Sequence, residues 1–331
     1  MAQTVQTAAK DSPVEDTPRK QARVFAVCLP RSTSSIFARC MSEVPNSEVF
    51  FDAQYCCIEA EDNLHLMGKT VDHEADDIPD EDWQKALEML VGEDCSKQDV
   101  RLLKLPYIKK LLDNPNPEKD LIFCKLALPN IECLQFPPEK CSNYKYTFLV
   151  RHPIKVFQSY RNVIYSVATE MSLYAEDPSR CKAPSPADFH FARDSPDRYV
   201  AKRCFFKELY DAWIHVKEHL DPNPIIIDSD DLLSNPAGML SKYCAAVGVE
   251  YSDGLLKWEA DPECCANWKN VLTPLHHFKI GRIFCGNALN STHFLPPSPI
   301  PSIDDVTEDV RKATERAMPY YQEMYEARML P

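Results

Sequence analysis

The sequence predicts an α/β fold, a central parallel β-sheet covered by helices on both faces. Three observations predict it. Short, wholly apolar runs recur along the chain and read as strands buried on both sides. Stretches with helical spacing separate them, which is how parallel strands are connected. The composition, 44% hydrophobic and 26% charged over 331 residues, suits a large core and argues against wholesale disorder.

The elements follow in order. Residues 1–21 are polar, mixed in charge and without an apolar segment, so they read as a tail and not a secretory signal. Residues 23–28 form the first apolar run, stopped by Pro30. Serines then open a helical pattern over 32–43 that carries Ile36, Phe37, Cys40 and Met41. Residues 48–52 are a second strand. Helices are expected over 80–91 and 96–112, the latter bent at Pro106. Residues 121–125 and 145–150 are strands, and 153–166 a helix with Pro153 in its first turn. Residues 167–196, rich in Pro, Ser and Asp, suggest a long loop or lid. A helix over 197–220, a strand over 224–228 and a helix over 233–247 come next. The stretch 255–303 reads as irregular, and a helix over 304–327 closes the chain. With no repeat and no clear linker, one domain over 22–331 is expected, carrying an acidic helical insertion around 59–113.

Charge and cysteine content narrow the function. The net charge is −13, concentrated between Glu59 and Asp99, where 14 acids face 3 lysines. Such a balance disfavours nucleic acid or an anionic membrane as partner, while leaving room for a small anion in a local basic pocket. No run approaches the ~18 apolar residues of a membrane span, so a cytosolic protein is expected. The 14 cysteines, several inside apolar runs and some adjacent in sequence (Cys56-Cys57, Cys264-Cys265), read as free thiols. No spacing resembles a zinc site, and no metal is expected.

Two segments carry chemistry. Leu29-Pro-Arg-Ser-Thr-Ser-Ser-Ile36 leaves a buried strand and opens a helix, so unpaired N–H groups and the positive helix end can receive an anion. Arg31, Ser32, Thr33, Ser34 and Ser35 are the candidate ligands. It is not a nucleoside-triphosphate loop: the G-x-x-x-x-G-K pattern is absent, which disfavours ATP or GTP hydrolysis. In Tyr146-Thr-Phe-Leu-Val-Arg-His-Pro-Ile-Lys-Val-Phe-Gln-Ser-Tyr-Arg161, a strand ends on Arg151 and the next helix carries Ser159. Strand ends line the ligand crevice of such sheets, so this pair can grip a second phosphate.

Taken together, the two segments resemble the PAPS-dependent sulfotransferase superfamily (PAPS, 3′-phosphoadenosine 5′-phosphosulfate), in particular a subgroup with Pro-Arg-Ser-x-Ser-Ser/Thr in the first loop. Ile226-Ile-Asp-Ser-Asp-Asp-Leu-Leu-Ser-Asn-Pro236 resembles a further stretch of that family. The likeness covers roughly 23–250. It implies a P-loop NTPase-like three-layer sandwich. It also implies a 5′-phosphosulfate held by residues 31–35, a 3′-phosphate held by Arg151 and Ser159, and a sulfuryl group passed to a hydroxyl or amine of a small acceptor. Thr33 stands where many members have glycine. Cytosolic members have Lys-Thr-His-Leu-Pro where this chain has Lys125-Leu-Ala-Leu-Pro129, so the usual basic histidine falls on Ala127.

Asp52, at a strand end, is the first candidate for the missing base, with Glu48, His65 and His152 behind it. Arg31 and Lys125 would stabilise charge on the transferred group. Ser291 and Thr292, with Lys279 and Arg282, are candidates to close over the 3′-phosphate. His276 and His277 lie in the same region. Phe50, Phe51, Tyr55, Tyr165 and Tyr174 are candidates to line the acceptor pocket. The expected partner is a small molecule, and a homodimer is allowed. The alternative is a catalytically silent relative that binds a nucleotide or serves as a scaffold.

Overall fold

The computed structural model describes residues 21–72, 77–127, 143–170, 185–194 and 205–331. The elements run β1 (Ala22–Cys28), α1 (Ser34–Met41), β2 (Ser47–Phe51), α2 (Ala53–Leu66), α3 (Asp80–Val91), α4 (Leu105–Asp113), β3 (Leu121–Ala127), β4 (Lys145–Val150), α5 (Pro153–Glu170), α6 (Phe191–Asp194), α7 (Phe205–His219), β5 (Ile225–Asp228), α8 (Ser229–Ser234), α9 (Pro236–Val247), α10 (Lys279–Leu289) and α11 (Glu308–Glu326).

The five strands form one sheet in the order β2-β3-β1-β4-β5, and every pairing is parallel. Each strand is apolar on both sides because each face meets a helical layer. Along β1, Val24, Ala26 and Cys28 join the core that includes Phe37, Met41 and Tyr243. Phe25 and Val27 join the opposite core with Phe157, Phe206 and Tyr321. The expected P-loop NTPase-like three-layer sandwich is therefore borne out. The chain leaves β1 toward β2 on one side and later fills β4 on the other. The switch of direction falls beside β1, and the turns after β1, β2 and β4 gather at the same carboxyl edge as the end of β3. Ligand crevices open at such a place in open α/β sheets.

Several elements differ from expectation, each for a local reason. The helix expected over 96–112 is broken: Val100–Leu103 is a 3-10 turn, Lys104 is extended (φ −94°, ψ 112°), and α4 starts afresh with Pro106 in its first turn. Proline has no N–H and is accommodated only there. Asn235 and Pro236 likewise split the expected 233–247 helix, Asn235 capping α9 by accepting from Gly238 N at 3.0 Å. α2 begins ahead of the helical insertion expected around 59–113 and runs into its acidic start, as a helix given no bounds of its own in the sequence reading. α10 lies inside the stretch read as irregular; Gly281 and Gly286 depress helix propensity there. Residues 171–184 and 195–196 of the expected 167–196 lid, and 197–204 of the expected 197–220 helix, lie outside the described residues. Among the described residues no helix is long and apolar enough to cross a membrane.

Candidate active site

The loop after β1 is held in an unusual shape. Arg31 and Thr33 both have positive φ, 70° and 68°, a region that disfavours side chains by roughly 1–2 kcal/mol each. Thr33 occupies the position where many members of the resembled family have glycine, and its backbone is one that glycine adopts freely. The surroundings enforce this shape. Ser32 turns back, its N and Oγ donating to Leu29 O at 3.3 and 2.7 Å. Ser229 Oγ lies 2.8 Å from Ser32 O and 2.9 Å from Val150 O, tying the loop to the ends of β4 and β5.

The expected serine cap is absent: Thr33 precedes α1, with no side-chain cap. Among the described residues, the N–H groups of Thr33, Ser34, Ser35 and Ile36 have no hydrogen-bond partner. Four donors at the positive end of a helix form an anion cradle.

Two arginines flank this cradle. Arg151, just past β4, donates through Nη1 to Arg31 O at 3.1 Å. Arg31 donates through Nε to Ser159 Oγ at 3.0 Å and through Nη1 to Phe284 O at 3.0 Å. Burial lowers the pKa of both side chains, and for Arg31 the like charge of Arg151 adds to this. Arginine keeps its proton regardless. Among the described residues neither guanidinium has a carboxylate within 4.0 Å, and Arg151 Nε is buried without a partner. Partly buried cations without a carboxylate in contact are costly, although the charges of Asp230 and Asp228 favour Arg151 from further off; a bound anion would stabilise both.

A second group sits at the ends of β2 and β3. Asp52 follows β2 with φ 49°, fixed by Asp52 N donating to Lys125 O at 2.9 Å. Its Oδ2 accepts from Lys125 Nζ and its Oδ1 from Ala127 N at 2.8 Å. Lys125 Nζ also lies 4.3 Å from the Phe51 ring centroid, a cation–π contact. Burial, the largest single effect, pulls the Lys125 pKa down, but the charge and hydrogen bond of Asp52 together with Cys28 and Cys285 outweigh it and the pKa is raised; the lysine is a held cation. Cys28 and Cys285, whose acidity this charge pair influences, are pushed up to about 11 by burial and remain thiols.

These groups line two clefts that meet at Arg31, Ser34, Ser35 and Phe284. One cleft contains Asp52 and Lys125 among largely apolar walls that include Phe51, Tyr160, Phe205 and Leu272. The other contains Thr33, Arg151, Asn287, Ser291, Leu295 and Ser298.

The remaining candidates are placed differently. Ser159 meets Arg31 directly, and the hydroxyl of Ser32 is turned into the loop. Ser291 Oγ donates to Ala288 O at 2.6 Å, while the exposed Thr292 hydroxyl pairs with His293 Nδ1 at 2.8 Å and lies outside both clefts. Lys279 Nζ donates to Glu170 O at 2.9 Å, and Arg282 to the carbonyls of His276 and His277. Glu48 pairs with Lys269 at 3.7 Å, and His65 is exposed at the end of α2. His152 packs its ring on Tyr321 at 5.5 Å, and burial lowers its pKa. Phe50 and Tyr165 pack in the core, Tyr165 against Phe189 at 5.4 Å. The Tyr55 side chain and Tyr174 lie outside the described residues.

Sequence reasoning missed Tyr160, Phe205 and the α10 residues Ile280, Gly281, Phe284 and Cys285. Only the packing of α10 across the loop brings the last four to the site, and no local motif marks them.

Comparison with known proteins bears on the family of the chain. Residues 217–328 match the family model described as a sulfotransferase domain. The two motifs at 29–36 and 146–161 lie outside that segment, so the family resemblance read from them is borne out from an independent part of the chain. Similar solved structures include the sulfotransferase domain from the Synechococcus PCC 7002 olefin synthase (12% identity, TM-score 0.38, covering 92% of this chain and 98% of that one). A sulfotransferase domain from the curacin biosynthetic pathway is 15% identical, with TM-score 0.42 and coverages of 95% and 100%. Mouse sulfotransferase SULT7A1 complexed with PAP is 12% identical, with TM-score 0.44 and coverages of 93% and 89%. With TM-scores this low, the structural likenesses support no inference about function. No curated protein matches the chain.

Proposed function

We propose that this chain is a cytosolic sulfotransferase that moves the sulfuryl group of PAPS to a hydroxyl or amine of a small acceptor. One observation carries the reading: among the described residues, two partly buried arginines without carboxylate contacts share a cleft with four N–H groups that have no hydrogen-bond partner. That donor set fits a dianionic group, and the Arg151 guanidinium lining the same cleft fits a second one. The nucleotide supplies the sulfuryl group. Residues 33–36 and Arg31 hold its anionic end by hydrogen bonds and charge. Arg151, with Ser159 near Arg31, holds a further phosphate.

The acceptor enters the largely apolar cleft that meets the cradle at Arg31. Lys125 and Arg31 face the region where negative charge would gather, and such fixed charges act strongly away from water. Asp52 takes the acceptor proton. Each of its oxygens already accepts one hydrogen bond and keeps a further lone pair.

A second reading has its own support. Ala127 stands where a histidine base is implied, and its N–H is spent on Asp52. A silent, nucleotide-binding relative would show the same cradle.

The test is calorimetric titration with adenosine 3′,5′-bisphosphate and with ATP, followed by an acceptor screen with labelled PAPS. Micromolar binding selective over ATP, weakened by roughly tenfold or more in Arg151→Ala through loss of a charged hydrogen bond, supports the cofactor site. Equal binding of ATP, or none of either, overturns it. Selective binding with no turnover on any acceptor class leaves the silent reading.

A further inference from the structure

Away from the clefts, two short turns bring three donor side chains together. Glu263 lies in the turn Pro262–Cys265 and His276 and His277 in the turn Leu275–His277. His276 Nε2 is 3.0 Å and His277 Nε2 3.8 Å from Glu263 Oε1. One ligand atom from each residue lies within 4.8 Å of the other two. The imidazole rings stand 4.3 Å apart at 69°, so neighbouring residues aim their Nε2 atoms at one carboxylate. Bonds of about 2.0–2.1 Å in a tetrahedron set donor atoms roughly 3.3 Å apart, and the two observed separations straddle that value.

The backbones carrying these ligands are held in place. Asp261 accepts from Glu263 N at 2.9 Å. Arg282 Nη1 donates to both His276 O and His277 O at 2.9 Å.

We propose that Glu263, His276 and His277 form a binding site for a divalent transition cation of the zinc class. Two imidazoles and one carboxylate suit zinc and its neighbours, whereas magnesium and calcium take oxygen ligands. Spacing along the chain gave no hint of it, since Glu263 and the histidine pair belong to separate turns. Three protein ligands leave a fourth position for water.

The site lies one layer from the acceptor cleft. Leu275, next to His276, lines that cleft, as do Ile280, Gly281 and Phe284 of α10. α10 sits so close to this turn that a Cβ at Gly281 would collide with Leu275 O. Phe284 O in turn accepts from Arg31. A cation joining the two turns would brace the wall on which Arg31 leans. The site stands independently of the sulfotransferase reading.

The test uses the full chain, stripped with chelator and titrated with zinc chloride, with magnesium chloride as control. Cobalt(II) substitution guards against uptake by the cysteines. One zinc per chain is expected, bound more tightly than magnesium, with visible cobalt bands and no intense near-ultraviolet thiolate band. His276→Gln/His277→Gln should weaken zinc by roughly tenfold or more and abolish the zinc-dependent rise in melting temperature. The metal-free melting temperature should match wild type, which shows that the variant folds; Glu263→Gln is the second variant should it not. Equal zinc uptake by wild type and variants, binding no tighter than magnesium, or a thiolate cobalt spectrum would overturn the proposal and leave a plain histidine–glutamate ion pair.

Discussion

Asp52 and Lys125 show how much chemistry two side chains carry when the backbone around them is constrained. The left-handed turn at Asp52 points its carboxylate back at β3, where Lys125 and the Ala127 N–H receive it. Asp52→Asn preserves shape and removes the proposed proton acceptor. Turnover on any acceptor found by the screen should fall by about 10²–10⁴, while bisphosphate binding stays close to wild type. Undiminished turnover would move the base elsewhere. Both residues were legible in the sequence because each ends an apolar run, and strand ends face the crevice. Their mutual ion pair was not, since 73 positions separate them and only the β2·β3 register makes them neighbours.

At the scale of elements, capping decides where the helices start, and one cap has a pH signature. Asp228, at the end of β5, accepts from Asp230 N and Asp231 N at the start of α8 and from Tyr321 Oη at 3.0 Å. Burial nevertheless pushes its carboxyl up to about 6. A folded-state value above the ordinary carboxylate range means that the folded protein binds this proton more tightly than the unfolded chain. The associated stability is present below about pH 4 and is lost as pH rises through 6. Asp228→Asn does not titrate. Its stability relative to wild type should therefore increase between pH 4 and pH 7, by an amount on the order of 2 kcal/mol, read from denaturant unfolding at each pH. A constant difference across that range would show that Asp228 does not titrate there. The strand β4 and the helix α3 were read from the sequence to the residue. By contrast, α10 escaped notice because its two glycines hide a helix that tertiary packing stabilises.

For the molecule as a whole, the turn after β1 gathers two arginines, with no carboxylate in contact among the described residues, inside an acidic protein of net charge −13. Folding without an anion leaves Arg31 and Arg151 facing one another's surroundings with no carboxylate partner among the described residues. A ligand that binds only the folded state should then stabilise it by mass action. Adenosine 3′,5′-bisphosphate at 100 times its Kd should add about 2.7 kcal/mol, seen as a rise in melting temperature that ATP at the same concentration does not reproduce. The same experiment on Arg31→Ala should show the rise reduced. An unchanged rise would place the nucleotide away from this loop.

By itself, the sequence determined the layered parallel architecture, the strand-to-helix turn after β1 on which the proposed anion site rests, and the arginine after β4. Hydrophobic period and strand-to-helix junctions are local properties, and local patterns report them. The tertiary structure alone decided that Arg31 reaches Ser159 and Phe284, that α10 walls both clefts, and that Glu263 meets His276 and His277. Those contacts join residues far apart in the chain, and their distances depend on sheet order and on how closely helices pack, which no local pattern encodes.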